Sequence, residues 1–476
     1  MAVSLLSRLW SSPTAMMLAS TGLQSLLAVL IVPIVLYRFA APTVALWALF
    51  SSLTALVNVA TQSFTVTFVR AVAYSHAGAS SLDDLAAGRS RPEARESNRE
   101  LLAEVVSGAR IAFLAIAVCA LVLLASLGTV LVDHLVAATP DPRSAWIAWG
   151  LVLAASTSGV YTNLYVGYVE GHDHVAVVRR WDAIFALFAG VSSCAVLLLG
   201  GDFLALVIST QGWLLVRAVR NWMLCRRIDD RAYTKLARRP WRPALQTLWP
   251  AAWRSFVGVA GILGVNYMGG IFYAQIGEPR LVAGYLLAIR LFDALSSVAR
   301  APFYSRIPLL VRLHAQGQTS AQLATARSGM RLAYWIFVVG MLAAAALGPS
   351  VFRAIGSDVP FPALQLWLGL GTAYLLERYG AMHLQLFSTT NMIVWHTAAL
   401  GYALIYLVTL AALHGPIDVY AFPIAMGLGY AGWYSWFSAR HSYRAFGIRF
   451  WSFERALFVP PLVVATTATV IAASVG

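Results

Sequence analysis

Long apolar stretches alternate with short, arginine-bearing breaks roughly a dozen times along this chain, and that pattern identifies the solvent before anything else. A run of ~20 apolar residues crosses the ~30 Å hydrocarbon core as a helix. Lipid offers the backbone no hydrogen-bond partner, so only helices and closed barrels can span it. Stretches such as 26–37 and 120–131 lack the period-2 alternation of barrel strands. The expected fold is therefore all-α, a polytopic helical membrane protein. Only 11% of the residues are charged, against roughly 25% in soluble proteins.

The formal net charge of +14 would point to nucleic acid in a soluble protein. In a membrane protein, arginines gathered in loops on one face, against anionic lipid, account for it. No nucleic-acid partner is expected, and membrane lipids are. Lys235 is the only lysine. Cys119, Cys194 and Cys225 are scattered without metal-type spacing, so no metal or other cofactor is expected. Cys119 and Cys194 lie in apolar spans and read as packing residues. Residues 1–12 carry Arg8 and run into the first span, which reads as an uncleaved anchor.

The expected spans are 14–37, 42–68, 111–132, 144–169, 181–199 and 203–215, then 251–276, 281–302, 332–347, 361–386, 392–413 and 419–437. Residues 456–475 are long enough to cross once more, although Pro460 and Pro461 weaken that span. With the N-terminus in the cytoplasm, the basic loops fall inside one after another. They hold Arg89, Arg91, Arg95 and Arg99; Arg226, Arg227, Arg231, Lys235, Arg238, Arg239 and Arg242; Arg306, Arg312, Arg327 and Arg331; and Arg440, Arg444 and Arg449. The opposite loops offer little beyond Arg38, Arg143, Arg280 and Arg353. The positive-inside rule is met loop after loop.

The basic stretch 225–250 divides the chain into halves with the same pattern of loop lengths. The expected domains are a six-span bundle over 1–222, a basic cytoplasmic linker over 223–250, a second six-span bundle over 251–437, and a basic loop with the extra span over 438–476. An even number of spans per half makes the internal repeat parallel, with its pseudo-axis along the membrane normal. Val44-Ala45-Leu46-Trp47 resembles Val282-Ala283-Gly284-Tyr285, and the same offset places His76 opposite His314.

The eighth span is the most informative. Arg290, Asp293, Ser297, Arg300 and Tyr304 recur at helical spacing and fall within roughly an 80° arc, one polar stripe on an apolar helix. Arg290 sits ~13 Å into the span, where burial costs ~2.5–3.5 kcal/mol on insertion scales. Such a stripe faces a watery cavity, or Arg290 and Asp293 form an internal ion pair that locks helices together. The tenth span carries Glu377, Arg378, His383 and Gln385. Glu377 reads either as a protonatable coupling site or as the partner of Arg378, which could snorkel to the cytoplasmic interface.

Gly258, Gly261, Gly264, Gly269 and Gly270 in the seventh span suit close helix packing or a gating hinge. Arg254 reads as an interfacial anchor. Residues 91–110 suggest a surface helix whose apolar face, Leu101, Leu102, Val105 and Val106, lies on lipid. Trp181, Trp253 and Tyr285 read as interface-belt residues. No Walker lysine loop occurs, and no large exoplasmic loop is available for an enzyme site, so no catalytic residues are expected. The long second-to-third loop lacks the short Gly/Asp/Arg motif of major-facilitator transporters.

Two segments carry a family resemblance. One is Gly167-Tyr168-Val169-Glu170-Gly171-His172-Asp173 leading to Arg179-Arg180; the other is Gly284-Tyr285-Leu286-Leu287-Ala288-Ile289-Arg290-Leu291. With the two six-span halves, they resemble the polysaccharide-transporter branch of the multidrug/oligosaccharidyl-lipid/polysaccharide flippase superfamily, over about residues 1–437. The resemblance implies two bundles flanking a central cavity and alternating access. It implies a flippase for polyprenyl-diphosphate-linked oligosaccharide repeat units of O-antigen, capsule or exopolysaccharide, in a bacterial inner membrane. Glycan polymerase and glycosyltransferases are then expected partners beside the lipid-linked oligosaccharide.

An anionic diphosphate needs a cationic path. Arg290, Arg300, Ser297 and Tyr304 are the expected substrate-binding residues, with Asp293, Glu377 and Arg378 in coupling or ion pairing. Two rivals remain: a multidrug or small-molecule cation-coupled antiporter of the same superfamily, and a non-transporting membrane scaffold in glycan assembly.

Overall fold

A computed structural model describes residues 13–76, 98–228, 240–390, 392 and 394–475. Among the described residues every regular element is helical and no strand occurs. In chain order the helices are α1 Pro13–Arg38, α2 Ala41–His76, α3 Arg99–Leu123, α4 Thr129–Ala137, α5 Pro142–Gly171, α6 Val175–Leu198 and α7 Phe203–Ile228. They continue with α8 Arg242–Val259, α9 Val265–Ile276, α10 Pro279–Tyr304, α11 Ile307–Ala315, α12 Thr319–Ala354 and α13 Leu364–Ser388. The last are α14 Trp395–Ile417, α15 Ala421–Gly429, α16 Ser435–Phe446, α17 Phe450–Glu454 and α18 Val459–Val475. Single π-turns join α3 to α4, α8 to α9 and α15 to α16, so each of these pairs runs on as one rod.

Local chemistry explains the ends. The Asn98 side chain accepts the Leu101 N–H at 3.0 Å to start α3. Asp141 does the same for Ser144 ahead of Pro142 in the first turn of α5. Asp173 takes a left-handed conformation (φ 64°) in the tight turn from α5 to α6, and Gly447 (φ 63°) ends α16. The Pro460–Pro461 pair falls in the first turn of α18, where proline removes no helical hydrogen bond, and the helix forms.

Eight helical runs among the described residues are long and apolar enough to cross a membrane. One of them, Trp395–Phe446, holds two rods separated at Asp418, where φ is 46°. Helices α5 and α13, of 30 and 25 residues, have the length but carry more polar side chains. In α13 Arg378 and His383 are buried against protein, so that helix need not be lipophilic on every side.

The chain separates into two compact units: Met1–Leu27 with Leu49–Tyr267, and Ala28–Ala48 with Met268–Gly476. In the first unit, Leu101, Leu102, Val105 and Val106 are buried in one cluster with Phe68, Val72, Leu164, Tyr168 and Val169. The surface helix expected over 91–110 is therefore corrected: from residue 99 it is the start of α3, and its apolar face packs on α2 and α5. Gly167 and Gly171 allow this, because a Cβ on either would collide with Phe68 or Val72. Cys119, read as a packing residue, is exposed on α3. Tyr285, read as an interface-belt residue, is buried in the second unit against Tyr273 and Phe422. Gly269 and Gly270 serve close packing there, against Tyr406 and Leu286.

The anchor over 1–12 lies outside the described residues. So do Arg89, Arg91, Arg95, Arg231, Lys235, Arg238 and Arg239 of the basic loops.

Candidate functional site

The polar stripe of α10 is built within the second compact unit. Arg290, Asp293, Ser297, Arg300 and Tyr304 are each partly accessible, while their neighbours Ile289, Phe292, Ala294, Ser296, Ala299 and Phe303 are buried. The helix is thus held on one face and leaves its polar face partly open. Phe292 fixes its rotation by stacking on Trp367 (4.2 Å between centroids) and Tyr374 (5.3 Å) of α13.

Each charged group on the stripe is held in its own way. The Arg290 guanidinium lies over the Trp47 ring, 3.9 Å from its centroid. A cation–π contact at a partly accessible site contributes ~0.5–2 kcal/mol. Trp47 reaches it because Ala28–Ala48 belongs to this unit. Asp293, one turn on, is the nearby carboxylate that acts on Arg290, and it accepts a hydrogen bond from the Tyr374 hydroxyl at 3.1 Å.

Further along the stripe, Arg300 donates to the Ser297 hydroxyl at 3.3 Å and sits 6.0 Å from the Tyr304 ring centroid. The charges bearing on the Tyr304 hydroxyl are Arg378, Arg300 and Glu377. The stripe of α10 and the Glu377–Arg378 pair of α13 therefore share one neighbourhood.

Glu377 and Arg378 form an ion pair at 3.3 Å, with side-chain exposures of 17% and 6%. Arg378 does not snorkel to an interface: it is buried inside the unit, and its long side chain bends to meet a neighbour that points ~100° away around the helix. The Ser435 hydroxyl donates to the Leu376 carbonyl at 2.8 Å, and Tyr434 fills the space over Gly380. These contacts seat α16 beside the pair.

Three arginines (290, 300, 378) and two carboxylates (293, 377) thus gather around α10 and α13, with one positive charge in excess. Such a surface can hold an anion through guanidinium N–H groups, or a cation once a carboxylate is released from its donor. Sequence reasoning missed Trp47 and Tyr374. Both sit in apolar helices, where an aromatic residue at helical spacing signals packing first.

The first unit has its own charged network. Arg220 of α7 meets Asp182 of α6 at 2.5 Å, and Arg179 reaches Asp182 at 3.7 Å and Glu170 at 2.8 Å. The Arg220 guanidinium also covers the Phe185 ring at 5.4 Å. Glu170 and Arg179 both belong to the stretch on which the family resemblance rests; they tie α5 to α6 across the Asp173 turn.

Comparison with known proteins adds the fold. No protein-family model matches the chain, and no curated protein matches it. Solved structures do. A multidrug resistance MATE family transporter of the MOP superfamily, in its inward-facing conformation, aligns with a TM-score of 0.62 at 12% identity, over 89% of this chain and 94% of that one. A mutant of the Vibrio cholerae MATE transporter VcmN aligns at 0.56 with 12% identity, over 93% and 98%. A MOP superfamily transporter from Pyrococcus furiosus, in which a reverse polarity of the binding pocket suggests a different function, aligns at 0.50 with 13% identity, over 93% and 98%. The chain has the helical fold of MATE transporters.

Proposed function

We propose that this protein is a membrane transporter of the MOP superfamily that works by alternating access. The observation that carries the reading is the fold match at a TM-score of 0.62 over nearly nine-tenths of the chain, to a transporter of inward-facing conformation. The cargo reading best supported by these neighbours is a multidrug or small-molecule antiporter coupled to a cation. In that cycle Glu377 and Asp293 are the exchangeable carboxylates, each now held by a donor, Arg378 and Tyr374. The test is transport by the purified full chain in proteoliposomes. An imposed cation gradient drives accumulation of a drug cation such as ethidium, and no gradient-driven uptake of any drug cation overturns the antiport reading.

A second cargo reading is favoured by the arginine excess around α10. A lipid-linked diphosphate oligosaccharide needs positive charge along its path, and Arg290 and Arg300 supply it with Ser297 and Tyr304 as hydroxyl partners. Flipping of a fluorescent polyprenyl-diphosphate glycan in the same proteoliposomes supports it, as would neighbouring genes for glycosyltransferases and a polymerase. The proposed setting is a bacterial inner membrane, with 1–222 and 251–437 as six-span bundles, 223–250 between them, and the N-terminus in the cytoplasm. Cysteines placed at Ser90 and Thr234, both outside the described residues, should resist an impermeant thiol reagent in whole cells. Efficient labelling without permeabilisation overturns that orientation.

A further inference from the structure

Helix α13 carries a second polar group, away from the stripe, that the transport reading does not use. His383 and Glu454 are both fully buried, and His383 Nε2 lies 3.1 Å from Glu454 Oε1. Tyr443 of α16 donates its hydroxyl to the same oxygen at 3.0 Å. The Tyr379 and Tyr443 hydroxyls are 2.6 Å apart. Since Tyr443 gives its proton to Glu454, Tyr379 donates to Tyr443, and the chain of donors runs from Tyr379 through Tyr443 to the carboxylate. Tyr443 itself is partly accessible, unlike the pair it donates to.

Two positions in this cluster have no hydrogen-bond partner: Glu454 Oε2 and His383 Nδ1. Both bonds to the pair use the other atoms, Oε1 and Nε2. A proton can therefore join either vacant position without breaking a bond already made. The charge count gives the reason for it to do so. A neutral imidazole beside an ionised carboxylate leaves one buried negative charge, with Oε2 unsatisfied. One added proton makes an imidazolium–carboxylate pair, or an imidazole beside a carboxylic acid, and the pair is neutral overall.

The groups around it do not supply that charge in its place. From α13 itself, Arg378 is engaged with Glu377. From α12, Arg327 lies over the Phe453 ring at 4.6 Å and Tyr334 brings a buried hydroxyl without a partner. From α16 comes Tyr443, and from the stretch after α17 comes Phe458, stacked on Tyr379. Arg455 follows Glu454 in sequence, and the ion-pair partner of Glu454 among the described residues is His383.

The pair also joins two parts of the chain. Glu454 belongs to α17, in the C-terminal segment, and α18 beyond it is bonded to the other end of α13. The Thr372 and Thr469 hydroxyls meet at 3.0 Å, Thr469 also donates to the Leu368 carbonyl, and the Gln365 amide donates to the Ala472 carbonyl. We propose that His383 and Glu454 form a proton-binding site that clasps the C-terminal segment, α17 and α18, to α13. With the proton bound the pair is neutral and the clasp closed; with the proton lost, the uncompensated carboxylate loosens it. The inference goes beyond the transport reading and needs no cargo.

The test is hydrogen exchange of the purified full-length protein across the pH range in which its helix content is constant, each peptide referred to its intrinsic rate at that pH. Peptides covering 450–475 should lose protection as pH rises, while those of α10 do not. Glu454→Gln and His383→Gln should each abolish that pH response. Tyr443→Phe removes one donor with the ring packing kept, and should move the midpoint of the response while preserving the fold. A parent protein whose 450–475 protection is independent of pH overturns the proposal. So does an unchanged response in Glu454→Gln. If both substitutions at the pair prevent folding, an unshifted midpoint in Tyr443→Phe overturns it instead.

Discussion

Both compact units hold arginines between their helices, the first through linked ion pairs and the second only in part so. In the first, Arg220 and Arg179 share Asp182, and Arg179 also holds Glu170, so two cations close on two anions across α5, α6 and α7. In the second, Arg378 is buried in an ion pair with Glu377, whereas the partly accessible Arg290 lies on an indole and Arg300 on a hydroxyl, and Asp293 takes a hydrogen bond from a tyrosine. A closed ion-pair network fixes helices and leaves little for a passing ligand. An arginine held over a ring or at a single hydroxyl is not closed into such a network. The first arrangement is architecture, and the second suits a site where charge is handled.

The contrast predicts the largest stability loss in the first unit. Arg220→Ala leaves Asp182 with one partner fewer in a site only 12% exposed, and should cost ~3–5 kcal/mol in detergent-solubilised thermal unfolding. Replacing Arg220 and Asp182 together by apolar residues should recover most of it. An Arg220→Ala protein that unfolds like its parent would break the comparison outright.

In the second unit the order of effects reverses. Arg290→Ala loses the ring contact, a term of ~2 kcal/mol or less, and should abolish transport of the cargo. Arg290→Lys should partly rescue, since it keeps charge without the planar fork. The same measurements on Asp293→Ala and on the double alanine variant separate site from strut. Full transport by a stable double variant removes Arg290 from the cargo path.

A smaller effect is expected at Glu377. Glu377→Gln should keep the fold, because an amide can still accept from Arg378, and should remove any dependence of transport on a pH gradient. Unchanged gradient dependence assigns Glu377 to structural pairing and moves the second unit closer to the first.

The smallest effect belongs to an exposed charge. Hydrogen bonds from Ser144 hold the Asp141 carboxyl below its ordinary range. A lowered folded-state pKa means that its contribution is present above the usual carboxylate range and fades as pH falls through the lowered value. Hydrogen exchange at the start of α5 should therefore quicken in acid, and Asp141→Ala should quicken it at neutral pH with no change in transport. An acid response that survives in Asp141→Ala belongs to another group.

Apolar run length measured against bilayer thickness determined the all-helical class of this protein from sequence alone, because a span must satisfy its own backbone wherever lipid surrounds it. The spacing of Arg290, Asp293, Ser297, Arg300 and Tyr304 likewise follows from helical geometry, and the structure leaves that stripe on the partly open face of α10.

What lies beside each face was decided by tertiary structure. Leu101, Leu102, Val105 and Val106 make an apolar stripe that lipid or protein could cover equally well, and α2 and α5 cover it. Arg378 was placed by counting along one helix, whereas burial by neighbouring helices holds it inside. Glu454 stands in a stretch that reads as a basic loop. It becomes a buried acid because the chain turns at Gly447 and returns to His383, a contact between residues 71 apart that no local pattern encodes.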